Sequence, residues 1–160
     1  MSASATASEG MIVVGVDGSR SSIEALEWAA KQAQLTGSRL RAVTTWEVPI
    51  SSGWVPSYPE GYDPQKAAED LLRRSIDEVL GSEQKIAVEI VVTEGHPAPA
   101  LLAAAADAQL LVVGSRGHRS FAGMLLGSVS WHCVVHATCP VVVVRHRSHH
   151  ADGAEHAAQS

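Results

Sequence analysis

The chain is poor in cysteine, has no long apolar run and carries no block of like charge. Its two cysteines, Cys133 and Cys139, are too few for a disulfide framework. Their spacing fits no zinc site, so both read as small, reduced core side chains. No apolar run approaches the ~20 residues that a membrane helix needs. Met1–Gly10 is rich in Ser and Ala and lacks the basic start and apolar centre of a signal peptide. The expectation is a soluble cytoplasmic protein. The net charge is −5 and the Lys and Arg residues are scattered, which argues against a duplex nucleic-acid or anionic-membrane binder.

Several motifs are missing too. There is no Gly-x4-Gly-Lys-Ser/Thr loop and no Gly-x-Gly-x-x-Gly after the first strand. The Asp17-Gly18-Ser19 turn is a poor match to a flavodoxin phosphate loop. The acidic pair and late Lys of a receiver domain are absent, as is a Gly-x-Ser-x-Gly nucleophile elbow.

What is present is a globular composition, 46% apolar and 18% charged over 160 residues, which suits one domain. Met1–Gly10 reads as an N-terminal tail. Met11–Val16 is a β-branched run, bounded by Asp17-Gly18-Ser19, that suits a strand buried on both faces. Ser21 to Glu24 offers a capping box for a helix running to Leu35, and Gly37 is placed to stop it. Leu40–Trp46 is a second strand. Glu47–Pro64, with four prolines and two glycines, fits no period and reads as a long loop. Its aromatics Trp54, Tyr58 and Tyr62, with Trp46, suit a lid, an interface or plain loop packing. Gln65–Leu80 is a helix, Ile86–Val92 a third strand, and Pro97 opens a helix to about Ala106. Leu110–Val113 is a fourth strand ending at Gly114, and Ser115–Gly123 a loop. Ser128–Ala137 is a helix and Val141–Val144 a fifth strand. From residue 146 the chain reads as a polar tail with four His.

Strict alternation of strand and helix predicts a single-domain α/β fold, a parallel sheet with helices on both faces. Such sheets bind ligands at the carboxyl ends of their strands, where the strand order reverses. Asp17 ends the first strand, and a glycine-containing loop begins at the end of the fourth.

That loop carries the chemistry. Gly114 and Gly117 allow positive φ and close backbone approach. Gly127-Ser128 opens a helix whose free N–H groups and positive dipole end suit an anion. Ser128 and Ser130 add hydroxyls, and Arg116, His118 and Arg119 add positive character. The parts suit a polyphosphate cradle, or simply a turn before a capped helix. Asp17 is likewise either a ligand contact or a turn former before Gly18, and His118 either a phosphate contact or a solvated loop residue. His132 and His136 lie one helical turn apart, but no third metal ligand accompanies them.

The spacing Gly-x2-Gly-x9-Gly-Ser, formed by Gly114, Gly117, Gly127 and Ser128, resembles the ATP-binding branch of the universal stress protein family. The likeness spans about residues 11 to 145 and includes the opening VVGVDGS, the LLGSVS helix start and the closing CPVVVVR. It implies a doubly wound five-stranded sheet in the order 3-2-1-4-5, bound ATP, a homodimer and a signalling role in stress. It matches Gly15, Val16 and Asp17 to the nucleotide-binding end of the first strand, with the acid near adenine or ribose, and the Val43 backbone to adenine. It assigns Gly114 and Gly117, with Ser115 and Arg116 between them, to ribose and phosphates, and His118, Arg119 and Ser120 are further candidate nucleotide-binding residues. Gly127, Ser128, Val129 and Ser130 match the triphosphate-facing helix start. Met124 departs from the basic residue of several ATP-binding members, and Arg119 or Arg116 are the candidates to compensate. Mg²⁺ beside the phosphates would have Asp17 or Ser128 as candidate ligands. No catalytic base stands out, which favours a nucleotide sensor over an efficient ATPase. A slow ATPase and a nucleotide-free interaction module are the alternatives. The apolar strand 141–144, last in the implied order, is the expected dimer edge.

Overall fold

The structure, a computed structural model, describes residues 9–48, 53, 57–83, 85–117 and 125–146. Strands β1 (Met11–Gly15), β2 (Arg39–Trp46), β3 (Val88–Glu94), β4 (Leu110–Gly114) and β5 (Val141–Val144) alternate with four helices. These are α1 (Arg20–Thr36), α2 (Pro64–Leu80), α3 (Pro97–Ala104) and α4 (Ser128–His136). The strands form one five-stranded sheet in the order β3-β2-β1-β4-β5, and every neighbouring pair is parallel. This is the doubly wound order that the resemblance implied.

Strand β1 shows why the sheet is covered on both sides. Successive side chains of a strand point to opposite faces. Ile12 and Val14 join one core with Ala25, Leu26, Ala29 and Ala33 of α1 and Leu72 and Ile76 of α2. Met11 and Val13 join the other, with Leu101 of α3 and Cys133 of α4. A strand apolar on both faces is stable only between two helical layers. Leu26 is fully buried, and its truncation to Ala would cost ~2–5 kcal/mol.

The start of α1 differs from the expected capping box at Ser21 and Glu24. The N-cap is Ser19, whose hydroxyl accepts the Ser22 N–H at 3.3 Å. Gly18, at φ 81°, turns the chain, and Asp17 Oδ1 accepts the Ser19 N–H at 2.9 Å. With Ser19 so held, the helix begins before Ser21. Ser21 is buried and its hydroxyl donates to the Val144 carbonyl at 3.4 Å. Glu24 does not reach back but pairs with His146 Nδ1 at 2.8 Å. The helix ends as expected, with Gly37 in the left-handed conformation at φ 67°.

Strand β3 is displaced two residues from the expected Ile86–Val92. Its ladder with β2 starts at Leu40↔Val88 and runs to Trp46↔Glu94, because β2 is long enough to carry β3 to that point. Ile86 packs against the core without joining the ladder. Helix α3 closes at Ala104 rather than Ala106, where the Ala106 N–H bonds the Ala103 carbonyl and tightens the turn. Helix α2 is capped by Asp63, which accepts the N–H groups of Gln65 and Lys66, with Pro64 in the first turn. Ahead of it the Tyr58 and Tyr62 rings stack 5.0 Å apart, while Trp54 lies outside the described residues. So do residues 1–8 and 147–160 of the expected tails. Among the described residues no helix is long and apolar enough to cross a membrane.

Candidate functional site

The carboxyl ends of β1, β2 and β4 open into a crevice with two lobes. Register explains its composition. Gly15 pairs with Val43, and the Val16 N–H continues to the Val43 carbonyl at 2.9 Å. On the other side Val14 pairs with Val112, so Asp17 and the Gly114–Gly117 segment leave the sheet side by side. The deep lobe, about 200 Å³, is walled by apolar side chains that include Val43, Leu71, Leu101 and Val129. Asp17, Ser19, Gly114, Arg116 and Gly117 give it a polar edge. The outer lobe, about 670 Å³, shares Asp17, Gly117, Val129 and Ser130 and adds Gly127, Ser128, Trp46, Glu47, His96 and His132.

The two helices that point their first turns into the outer lobe differ in what they offer. The first N–H groups of any helix have no intrahelical partner. In α4 the first ladder bond runs from the Trp131 N–H to the Gly127 carbonyl at 2.9 Å, so Ser128, Val129 and Ser130 present N–H groups that the helix does not use. In α3 the corresponding turn begins Pro97-Ala98-Pro99, and proline has no N–H. An anion in the outer lobe is therefore served by α4.

Hydrogen bonds fix the α4 entry. The Gly127 N–H donates to the Ser115 carbonyl at 2.7 Å, and the Ser115 N–H to the Val144 carbonyl at 2.8 Å. The Ser130 hydroxyl, on a residue only 4% exposed, donates to the Gly114 carbonyl at 2.5 Å. That proton is committed within the fold, so of the two expected hydroxyl donors only Ser128 is exposed.

Of the two properties expected of Gly114 and Gly117, positive φ is not found and close approach is. A Cβ on Gly114 would lie 2.7 Å from the Ser21 carbonyl carbon, so this glycine admits the start of α1 against β4. A Cβ on Gly117 would lie 2.8 Å from Asp17 Oδ2. Gly127, at φ −69°, has ordinary contact distances, the nearest being the Ser115 carbonyl at 3.4 Å.

The model of the universal stress protein family matches residues 11–145. The chain belongs to the universal stress protein family. A universal stress protein of Mycobacterium tuberculosis is 34% identical over 149 residues, covering 83% of this chain and 47% of its own. One from Mycolicibacterium smegmatis is 38% identical over 140 residues, covering 85% and 46%. The chain thus spans about half the length of the curated relatives it matches. Among solved structures, universal stress protein UspA of Lactobacillus plantarum superposes with a TM-score of 0.69 at 22% identity, covering 85% of this chain and 97% of its own. A universal stress protein in complex with cAMP superposes with a TM-score of 0.63 at 29% identity, covering 86% and 97%.

Within this universal stress protein, the crevice gathers Gly15, Val16, Asp17, Val43, Gly114, Arg116, Gly117, Gly127, Ser128, Val129 and Ser130. Ser115 lines neither lobe; it is buried, and its backbone ties β4 to β5 and α4. His118, Arg119, Ser120 and Met124 lie outside the described residues. The His132 and His136 rings lie 4.6 Å apart between centroids and are tilted by 44°, and no cluster of three metal-ligating side chains occurs among the described residues. Sequence reasoning missed Glu47 and His96. Glu47 Oε1 and His96 Nδ1 are 2.6 Å apart at the rim of the outer lobe. The Trp46↔Glu94 register, extended by the Gly95 N–H to the Trp46 carbonyl at 3.0 Å, brings these two chain exits together. No local spacing encodes that meeting.

Proposed function

We propose that this universal stress protein binds an adenine nucleotide, with ATP as its ligand, and acts as a nucleotide-dependent sensor in the cytoplasm. The carrying observation is the convergence of Asp17, Gly117 and the opening turn of α4 on one crevice with an apolar depth. An adenine ring suits the depth between Val43, Leu101 and Val129. A phosphate chain suits the N–H groups of Ser128–Ser130. Complexes of related structures with cAMP and with AMP accord with this reading. Residues 11–145 form the nucleotide-binding domain in it, with His118, Arg119, Ser120 and, where Mg²⁺ accompanies the phosphates, Asp17 or Ser128 as further contacts.

The proposal includes a homodimer through β5. This strand stands at the end of the sheet order, and its four valines are only partly covered. The neighbouring α4 exposes Trp131, Val134 and Val135, with Trp131 at 62%. Pairing two copies would cover an edge that otherwise invites association.

The test denatures purified protein, identifies the released nucleotide, and titrates stripped protein with ATP, ADP, AMP and cAMP by calorimetry. Stoichiometric adenine nucleotide supports the reading. Absence of any binding would leave a nucleotide-free interaction module.

A further inference from the structure

The Glu47–His96 pair places an imidazole at the rim of the outer lobe, a group that the sequence did not single out. Neutral imidazole has one N–H donor and one acceptor nitrogen, and a carboxylate on one nitrogen fixes which is which. With Nδ1 at 2.6 Å from Glu47 Oε1, Nδ1 carries the proton and donates, leaving Nε2 as the acceptor. His96 is the N-cap residue of α3 but makes no side-chain cap bond, so its ring is not occupied in holding the helix. It lines the same lobe as Gly127, Ser128 and Ser130.

Resting on the nucleotide reading above, we propose that His96 is a general base for slow hydrolysis of the terminal phosphoanhydride of bound ATP, with Glu47 its positioning residue. Water sits between Nε2 and the terminal phosphorus. As the water oxygen bonds to phosphorus, its proton passes to Nε2. The bond from phosphorus to the bridging oxygen breaks, and its electron pair leaves with ADP. Inorganic phosphate departs, and the proton on His96 returns to solvent. General bases typically contribute ~10²–10⁴-fold. The His96 side chain is 82% exposed, so water competes for it and the contribution should fall at the low end. The site then acts as a timer that ends the ATP-bound state, rather than as a high-turnover enzyme.

The experiment measures ATP–Mg²⁺ binding by calorimetry and phosphate release in single turnover on the same samples. The wild type should bind and release phosphate slowly. His96→Ala should retain the affinity within about 2-fold and lose about 10–100-fold in release rate. Added imidazole should restore much of that rate, which a merely structural role would not allow. Glu47→Ala should behave like His96→Ala, while Glu47→Gln, whose amide oxygen can accept the same N–H, should keep most of the rate. Binding without phosphate release in the wild type overturns the proposal. So does an unchanged rate in His96→Ala, or failure of imidazole to rescue it. Failure of the wild type to bind overturns the nucleotide reading itself and the base with it, and calorimetry shows this separately.

Discussion

The Gly127 N–H bonds the Ser115 carbonyl at 2.7 Å, so the chain leaving β4 is pinned to the residue that starts α4. The bond uses the Gly127 N–H, and the α4 ladder, which starts at the Trp131 N–H, leaves those of Ser128, Val129 and Ser130 unused by the helix. It also makes Gly127 a clean place to separate fold from ligand.

Gly127→Ala should fold. The added Cβ meets nothing closer than 3.4 Å and the backbone is one that alanine adopts. Weaker capping should cost only about 0.5–1 kcal/mol. Adenine-nucleotide affinity should fall about 10-fold or more, because the methyl group narrows the approach to the α4 N–H groups. Gly114→Ala should do the reverse of what its place in the glycine spacing suggests. It should destabilise by ~1–3 kcal/mol, because its Cβ runs into the Ser21 backbone. Calorimetry paired with urea unfolding distinguishes the two variants.

Gly117→Ala should act through Asp17. Its Cβ would crowd Oδ2, and that carboxylate is braced on its other oxygen by Ser19. The variant should resemble Asp17→Ala in nucleotide affinity, and combining the two substitutions should add little. Additive losses in a double-mutant cycle would contradict the coupling.

Nucleotide should stabilise the native state by mass action. At ligand near 100 Kd the gain is about 2.7 kcal/mol. A domain of this size should then melt roughly 5–10 °C higher. A thermal-shift titration with ATP reads this directly, and Gly127→Ala should need more ligand for the same shift.

Cys133 should make stability pH-dependent at the alkaline end. Burial pushes its thiol from 9.0 up to about 11. The folded state therefore holds this proton where the unfolded chain releases it, so the stabilisation is complete below about pH 9 and is lost as pH rises towards 11. Unfolding midpoints of the wild type should decline more steeply over that window than those of Cys133→Ala. The same burial should keep Cys133 unreactive to thiol reagents until the protein is denatured.

The strand–helix alternation and both apolar faces of β1 were legible because they are periodic and local. Asp17, the glycine spacing and the α4 start were legible because they sit together in short motifs. What escaped depended on contacts between distant segments. Ser19 outcompetes Ser21 as cap because Asp17 braces it and because Ser21 is needed near Val144. Gly114 is glycine for a helix nearly a hundred residues earlier in the chain, not for its own φ. Glu47 meets His96 only because β2 and β3 run in register to their last residues.

The prolines that open α3 give the crevice a polarity. For any ligand with one flat apolar end and one anionic end, the two mirror-related placements across the outer lobe are not equivalent. Turned toward Pro97 and Pro99, the charged end would meet ring methylenes where the other helix offers N–H groups. Turned toward Ser128, it meets aligned peptide dipoles. A site so built would favour one way round for any such molecule.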